Sequence, residues 1–312
     1  MVKYYCVLLA LLLVVCTSTT IRIGSFNVLA PSWAANSSYA EEVSYLLTPW
    51  EARLNRSMNY VTSSLVNDTD FLAFQETEIT INGYIANRLN VSVFEYVSVF
   101  HDDDYWGSYI KIDPPFNRNG VSIAVNKMKY SNCSYTDLAL GTGNHALVAL
   151  CYNKILSRWI RVVSVHFDSD TGGNRGKESK AVVDYIDNNM ISGALNIIAG
   201  DYNADTDQGV IKQRITDAGF IDVFKVLGDN NHTHPFSTSY YNNNIYGLLD
   251  HITVRGQAFD VKSVKVHNND LFTIYPDLSQ RGEPNETPRV VSNMQLVGSD
   301  HFPIEAILEV SN

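Results

Sequence analysis

Short runs of apolar residues recur along nearly the whole chain, and many of them end on a carboxylate, an amide or an imidazole. Ile21 to Val28 alternates apolar and polar side chains, the pattern of a half-buried strand. Asp70 to Gln75 is a short apolar run that leads into Glu76. Comparable runs fall at Phe94 to Phe100, Gly120 to Asn126, Ala146 to Tyr152, Ile160 to His166, Asn196 to Gly200, Leu248 to Val254 and Val261 to His267, and Ile304 to Val310 closes the series. Helical patterns interrupt them at Gly176 to Asn189 and at Gln208 to Ala218. A further helix starts at Thr48-Pro49-Trp50-Glu51, where Thr48 can cap, Pro49 takes the first helical position and Glu51 completes a capping box. Leu54, Met58, Val61 and Leu65 then form its apolar face. Many strands and few helices in one chain fit sheet packed on sheet with helices outside.

The 312 residues are 45% hydrophobic and 18% charged, a balance typical of a folded globular protein. No linker-like segment, low-complexity run or internal repeat divides them, so one domain over 21–312 is expected. Residues 1–20 read differently. Lys3, the apolar stretch Tyr4 to Cys16 and the small polar residues Thr17 to Thr20 have the anatomy of a secretory leader. A transmembrane anchor needs about 20 apolar residues, more than this stretch supplies, and Val15 is bulky for lipoprotein processing at Cys16.

Removal of that leader leaves Cys133 and Cys151, in two strand-like segments around the turn Gly141-Thr142-Gly143-Asn144. One disulfide in an oxidising compartment is expected, with two buried thiols as the alternative. Sequons begin at Asn36, Asn55, Asn67, Asn90, Asn132, Asn231 and Asn285, consistent with a glycoprotein. The net charge of −10 argues against a broad nucleic-acid-binding surface, which is ordinarily basic. It leaves room for a hydrolase in which Mg²⁺ bridges an acidic cleft to a phosphate.

The polar residues at the strand ends, each unremarkable as a turn former or cap, form an ordered series. They are Asn27 in SFNVL, Glu76 in FQE, His166 in SVHFD, Asp201 and Asn203 in GDYNAD, Asp250 in LLDHI, and Asp300 and His301 in GSDHFP. In this order they resemble the endonuclease/exonuclease/phosphatase superfamily, over Ile21 to Val310, with GDYNAD and GSDHFP as the most specific motifs. SFNVLAPSW, the helix PWEARLNRSM and FLAFQETE look most like the deadenylase and nocturnin branch, whose intracellular substrates sit poorly with an export signal.

The resemblance implies a deoxyribonuclease I-like α/β fold, a four-layer sandwich of two packed mixed sheets flanked by helices. It also implies a Mg²⁺-dependent phosphodiesterase, with Mn²⁺ as a substitute. Hydrolysis of a phosphodiester needs an activated water, stabilisation of an anionic transition state and protonation of the leaving oxygen. By resemblance Glu76 is the leading metal ligand, a hard oxygen donor suited to Mg²⁺, and Asn27 and Asp300 complete or orient that site. Asp201 positions the attacking water, Asn203 donates to a phosphate oxygen, and His301 is the catalytic imidazole held by Asp250. His166 faces the phosphate from the other side.

Arg175, after His166 and Asp168, either binds phosphate or pairs with Asp168 to brace its loop, and Arg118 is a second basic residue near the cleft. His251 is expected to pack, and His101, His145, His232, His234 and His267 to serve surface or core roles. Asp102 to Asp104 reads as a solvated tip, and Asp102 to Trp106 with Tyr109 as a modest aromatic one.

Nucleic acid or a nucleotide leads as substrate. A sphingomyelinase-like or inositol-phosphate activity is the alternative, and no stable protein partner is implied, so a monomer is expected. A non-catalytic binding module on the same fold predicts loss of key residues, and the motif set is intact.

Overall fold

A computed structural model describes residues 18–31, 49–66, 68–102, 118–169, 172–204, 206, 209–227, 249–256, 259–267, 298–299 and 301–311. The strands are β1 (Ser18–Asn27), β2 (Phe71–Gln75), β3 (Phe94–Phe100), β4 (Gly120–Asn126), β5 (Tyr130–Ala139), β6 (His145–Asn153), β7 (Arg158–His166), β8 (Leu195–Asp201), β9 (Ile221–Asp222), β10 (Asp250–Arg255), β11 (Phe259–Val266) and β12 (Ile304–Ser311). They form two 6-stranded sheets, in the orders β11-β12-β1-β2-β4-β3 and β5-β6-β7-β8-β10-β9. Each is mixed: β1 and β2 run parallel in the first, β7 and β8 in the second.

Alternation decides how the layers pack. Ile21 and Ile23 of β1, Phe71 and Ala73 of β2, and Ile197 and Ala199 of β8 point between the sheets into one core. The intervening residues Phe26, Leu72 and Phe74 point outward and are covered by α1 (Trp50–Tyr60) and α2 (Ile79–Arg88). Val163, Val165 and Ile198 are covered in the same way by α3 (Gly172–Asn188) and the helical segment from Gly209 to Thr216. The result is the expected helix–sheet–sheet–helix sandwich.

The expected apolar face is buried throughout: Leu54 and Met58 of α1, and Val61 and Leu65 of the π-helical segment Val61–Leu65 that continues it, are all inaccessible. The start of α1 differs. Pro49 occupies the N-cap with extended backbone and no side-chain cap bond, so the helix begins one residue later than the capping-box reading places it. Thr48 lies outside the described residues. Helix α2 has no counterpart in the sequence reading, because Thr80, Asn82, Gly83 and Asn87 are weak helix formers. Packing of Ile81 and Ile85 against the first sheet holds it. Strand β1 begins at Ser18, inside the expected leader, and Ser18 to Thr20 pair with Ser311 to Glu309. Cys133, in an irregularity of the β5–β6 pairing, forms a disulfide with Cys151.

Candidate active site

Strand direction collects the polar ends at one edge of the sandwich. The parallel pairs bring the C-terminal ends of neighbouring strands together, Asn27 beside Gln75 and His166 beside Asp201. The antiparallel partners contribute their starts: Asp250 lies opposite Asp201, and β12 enters opposite Ser25, directly after His301. Residues scattered over the chain therefore meet as a consequence of topology.

Asn27 is at the centre. Its Nδ2 lies 2.8 Å from Glu76 Oε1, 3.2 Å from Asp201 Oδ2 and 3.3 Å from His301 Nε2. Its Oδ1 accepts from the Leu29 N–H at 3.0 Å, which fixes the amide with its nitrogen toward the acidic groups. Asn27 thus presents its amide nitrogen to Glu76 and Asp201, while its oxygen is engaged by Leu29. An amide nitrogen has two hydrogens, and the two carboxylates are its nearest neighbours.

His301 is buried, and its Nδ1–H donates to Asp250 Oδ2 at 2.9 Å. That bond fixes the tautomer and leaves Nε2 3.6 Å from Asp201 Oδ2. On the far side, His166 Nε2 lies 3.7 Å from the same oxygen. Burial pushes the Asp250 carboxyl up to about 7; the His301 ring works against this and the Asp201 charge adds to it. Asp250 Oδ1 is buried without a hydrogen-bond partner among the described residues. Asp201 Oδ1 accepts from the Asn203 N–H at 2.8 Å, and Asn203 Nδ2 donates to the Phe167 carbonyl at 2.7 Å. One amide hydrogen of Asn203 is therefore committed to the loop after β7, and the other is available to a ligand.

The backbone at these strand ends is unusual. Leu29, Glu76 and Asn203 all have positive φ, at 58°, 59° and 49°. A leucine and a glutamate in the left-handed region are disfavoured, and such residues concentrate where side chains must be aimed. Gly200 permits the close approach of β7 and β8, since a Cβ there would lie 2.0 Å from the Val165 carbonyl oxygen. Gly298 plays the same part against Arg53, whose carbonyl oxygen would lie 2.3 Å from an added Cβ.

Several supporting residues escaped the sequence reading. Arg53, fully buried in α1, donates to the Val28 and Gly298 carbonyls at 2.8 and 2.9 Å and also to Leu29. It ties the end of β1 to the turn preceding His301. Ser299 repeats that tie, donating to the Asn27 carbonyl at 2.7 Å and accepting from the His301 N–H at 3.1 Å. Beneath the site, Gln75 reaches Ser25 at 3.3 Å and, across the sheets, Ser164 at 3.5 Å. Glu178 accepts from Thr142, from Asn144 at 2.9 Å and from the Asp168 N–H at 2.7 Å, bracing the loop after His166. Arg53 and Gln75 stand inside the PWEARLNRSM and FLAFQETE segments, whereas Glu178 lies in no motif.

Arg175 contacts the backbone of its own loop. Its Nη1 donates to the Asp168 and Ser169 carbonyls at 3.0 and 2.9 Å, so backbone oxygens, and not the Asp168 carboxylate, hold it. Arg118 lies in the non-regular segment just before β4, where its carbonyl accepts from the Ile79 N–H at 3.3 Å. His251 packs as expected: it is fully buried between Asp222 Oδ2 at 2.8 Å and the Ala204 carbonyl at 3.0 Å, against the Tyr202 ring. Asp300, His232, His234, most of the acidic tip and its aromatic residues lie outside the described residues.

No protein-family model matches the sequence, and no curated protein matches it either. Solved structures do match in three dimensions. An endonuclease/exonuclease/phosphatase family protein of Bacteroides thetaiotaomicron superposes with a TM-score of 0.63 at 14% identity, over 94% of this chain and 99% of that one. The fold is that of the endonuclease/exonuclease/phosphatase proteins. The catalytic domain of human Nocturnin shares this endonuclease/exonuclease/phosphatase fold with a TM-score of 0.61 at 15% identity, covering 96% of this chain and 97% of its own. ANGEL2, a 2′,3′-cyclic phosphatase, does so with a TM-score of 0.65 at 14% identity, covering 94% and 96%.

Proposed function

We propose that this chain is an exported, divalent-metal-dependent phosphodiesterase acting on nucleic acid or nucleotide phosphoesters. The observation that carries the reading is the single Asn27 amide shared by Glu76 and Asp201, with the Asp250–His301 pair alongside. Two carboxylates drawn to one neutral amide and a third with an unpartnered oxygen, all buried, concentrate negative charge that a cation offsets.

The donor set fits a hard cation. Ligand atoms of Asp201, Asp250 and His301 lie within 4.8 Å of one another, and Glu76 joins the group through Asn27. Glu76 and Asp201 are the oxygen donors best suited to Mg²⁺ or Mn²⁺, while the mutual hydrogen bond of Asp250 and His301 commits them to each other. When bound, the ion supplies charge neutralisation at the phosphate oxygens and the leaving oxygen.

The protein's own groups divide the remaining work. Asp201 orients the attacking water and takes up its proton. His301, its Nδ1–H bonded to Asp250, donates Nε2–H to a non-bridging phosphate oxygen in its imidazolium form, which the Asp250 and Asp201 carboxylates favour. His166 faces the phosphate from the β7 side and donates to the leaving oxygen. Asn203 contributes its remaining amide hydrogen to the phosphate. Nucleotide chemistry is favoured by the likeness to ANGEL2, whose structure contains adenosine-2′,3′-vanadate. Export is supported by the apolar leader, the Cys133–Cys151 bridge and the exposed sequon residues Asn90 and Asn132.

Protein recovered from the medium of a secreting host is expected to hydrolyse bis(p-nitrophenyl) phosphate in Mg²⁺ or Mn²⁺. EDTA should abolish turnover and added metal should restore it. Metal-independent hydrolysis, or none under any condition, contradicts the reading. A panel of DNA, RNA, sphingomyelin and inositol phosphates then ranks the substrate classes.

A further inference from the structure

The edge that carries the site holds a second polar group outside the motif series. His101 follows β3 and Asn119 precedes β4, and the two are joined by the His101 N–H donating to the Asn119 carbonyl at 2.8 Å. Both are at the catalytic end, because β4 begins opposite Gln75 and the Thr77 N–H donates to the Gly120 carbonyl at 3.1 Å. His101 is 3% exposed and Asn119 5%. Among the described residues, His101 Nε2 and both Nδ2 and Oδ1 of Asn119 are buried without a hydrogen-bond partner. An unmade bond from a buried polar atom costs about 1–3 kcal/mol, so adjacent residues with three such atoms call for an occupant.

The chemistry of that occupant follows from the atoms. The His145 N–H donates to His101 Nδ1 at 2.9 Å, so Nδ1 carries no proton and Nε2 must carry it in the neutral ring. Burial, with His166 and His145 adding to it, holds the His101 imidazolium well below its ordinary range, in keeping with a neutral ring beside His166. The pair therefore offers N–H donors from His101 and Asn119 together with one carbonyl acceptor from Asn119. A phosphate oxygen only accepts and leaves Asn119 Oδ1 unsatisfied. A hydroxyl both accepts and donates, and meets both needs.

We propose that His101 and Asn119 form a recognition site for a substrate hydroxyl on the carbon next to the one bearing the phosphate, as in the 2′-hydroxyl of a ribonucleoside 3′-phosphate. This deepens the phosphodiesterase reading and rests on it: it names ribonucleotides over deoxyribonucleotides as the substrate class. A site built to bond a hydroxyl disfavours the analogue lacking it, because its own polar groups are then buried unpaired.

Calorimetric titration with adenosine 3′-monophosphate and with its 2′-deoxy counterpart, in magnesium, tests this without requiring turnover. The wild-type protein is expected to bind the ribose form about tenfold tighter or more. In Asn119→Leu, close in volume but without donor or acceptor, the two should fall within about twofold. Equal wild-type affinity, as a resident water at these atoms would give, overturns the proposal. So does absence of binding by either ligand, or a preference that survives in Asn119→Leu. The wild-type comparison decides the matter even if the variant fails to fold. Hydrolysis of bis(p-nitrophenyl) phosphate by the same preparation reports separately on the phosphodiesterase reading, since that ester has no such hydroxyl.

Discussion

Asp201→Asn is expected to lower kcat on bis(p-nitrophenyl) phosphate by about a thousandfold or more while leaving the fold at least as stable as the wild type. Asp201 is the group on which the site turns. Its Oδ2 is 3.2 Å from Asn27 Nδ2, 3.6 Å from His301 Nε2 and 3.7 Å from His166 Nε2. An amide of the same shape removes the charge that orients both imidazoles and that binds a cation. It also removes a buried negative charge that raises the cost of ionising Asp250. Loss of activity with retained or raised stability is the signature of a residue kept for chemistry, and paired kinetics and urea denaturation read both. A variant equally inactive but markedly less stable would reassign Asp201 to a structural role.

Arg53→Met is expected to act in the opposite sense, lowering stability by about 3 kcal/mol. The guanidinium is fully buried and satisfies the carbonyls of Val28, Leu29 and Gly298. Methionine fills similar space and offers no donor, so those acceptors are orphaned in the interior. They belong to the two segments that carry Asn27 and His301, so activity of the folded fraction should fall as well, by about tenfold. Arg53→Lys should recover only part of the stability, because a point ammonium cannot reproduce a planar fork spread over three carbonyls. Urea midpoints with activity corrected for the folded fraction check this. An unchanged midpoint in Arg53→Met would show that the carbonyls find other partners.

What the sequence revealed and what it hid divide along a physical line. A strand announces itself by local alternation, so Ile21 to Val28, Phe94 to Phe100 and Gly120 to Asn126 were legible, as was the buried stripe from Leu54 to Leu65. The strand-end residues were legible as an ordered set, and topology accounts for their meeting. Helix α2 was hidden because Asn82, Gly83 and Asn87 give it little intrinsic preference, and tertiary packing of Ile81 and Ile85 decides it. Glu178 lies in no motif, yet it is buried and clamps two loops. Arg175 was legible as a basic residue near the site, but only three-dimensional proximity shows that backbone carbonyls occupy it. His101 and Asn119 carry no motif at all; their unpaired atoms become visible only when the interior is assembled.

The proposed chemistry requires a divalent ion held by Glu76 and Asp201 beside the Asp250–His301 pair. Anomalous scattering from a Mn²⁺-soaked crystal tests it most directly. A manganese peak is predicted within coordination distance of Glu76 or Asp201, inside the group bridged by Asn27. A protein whose manganese lies only at remote surface carboxylates, or that binds none in this group at saturating concentration, would contradict it.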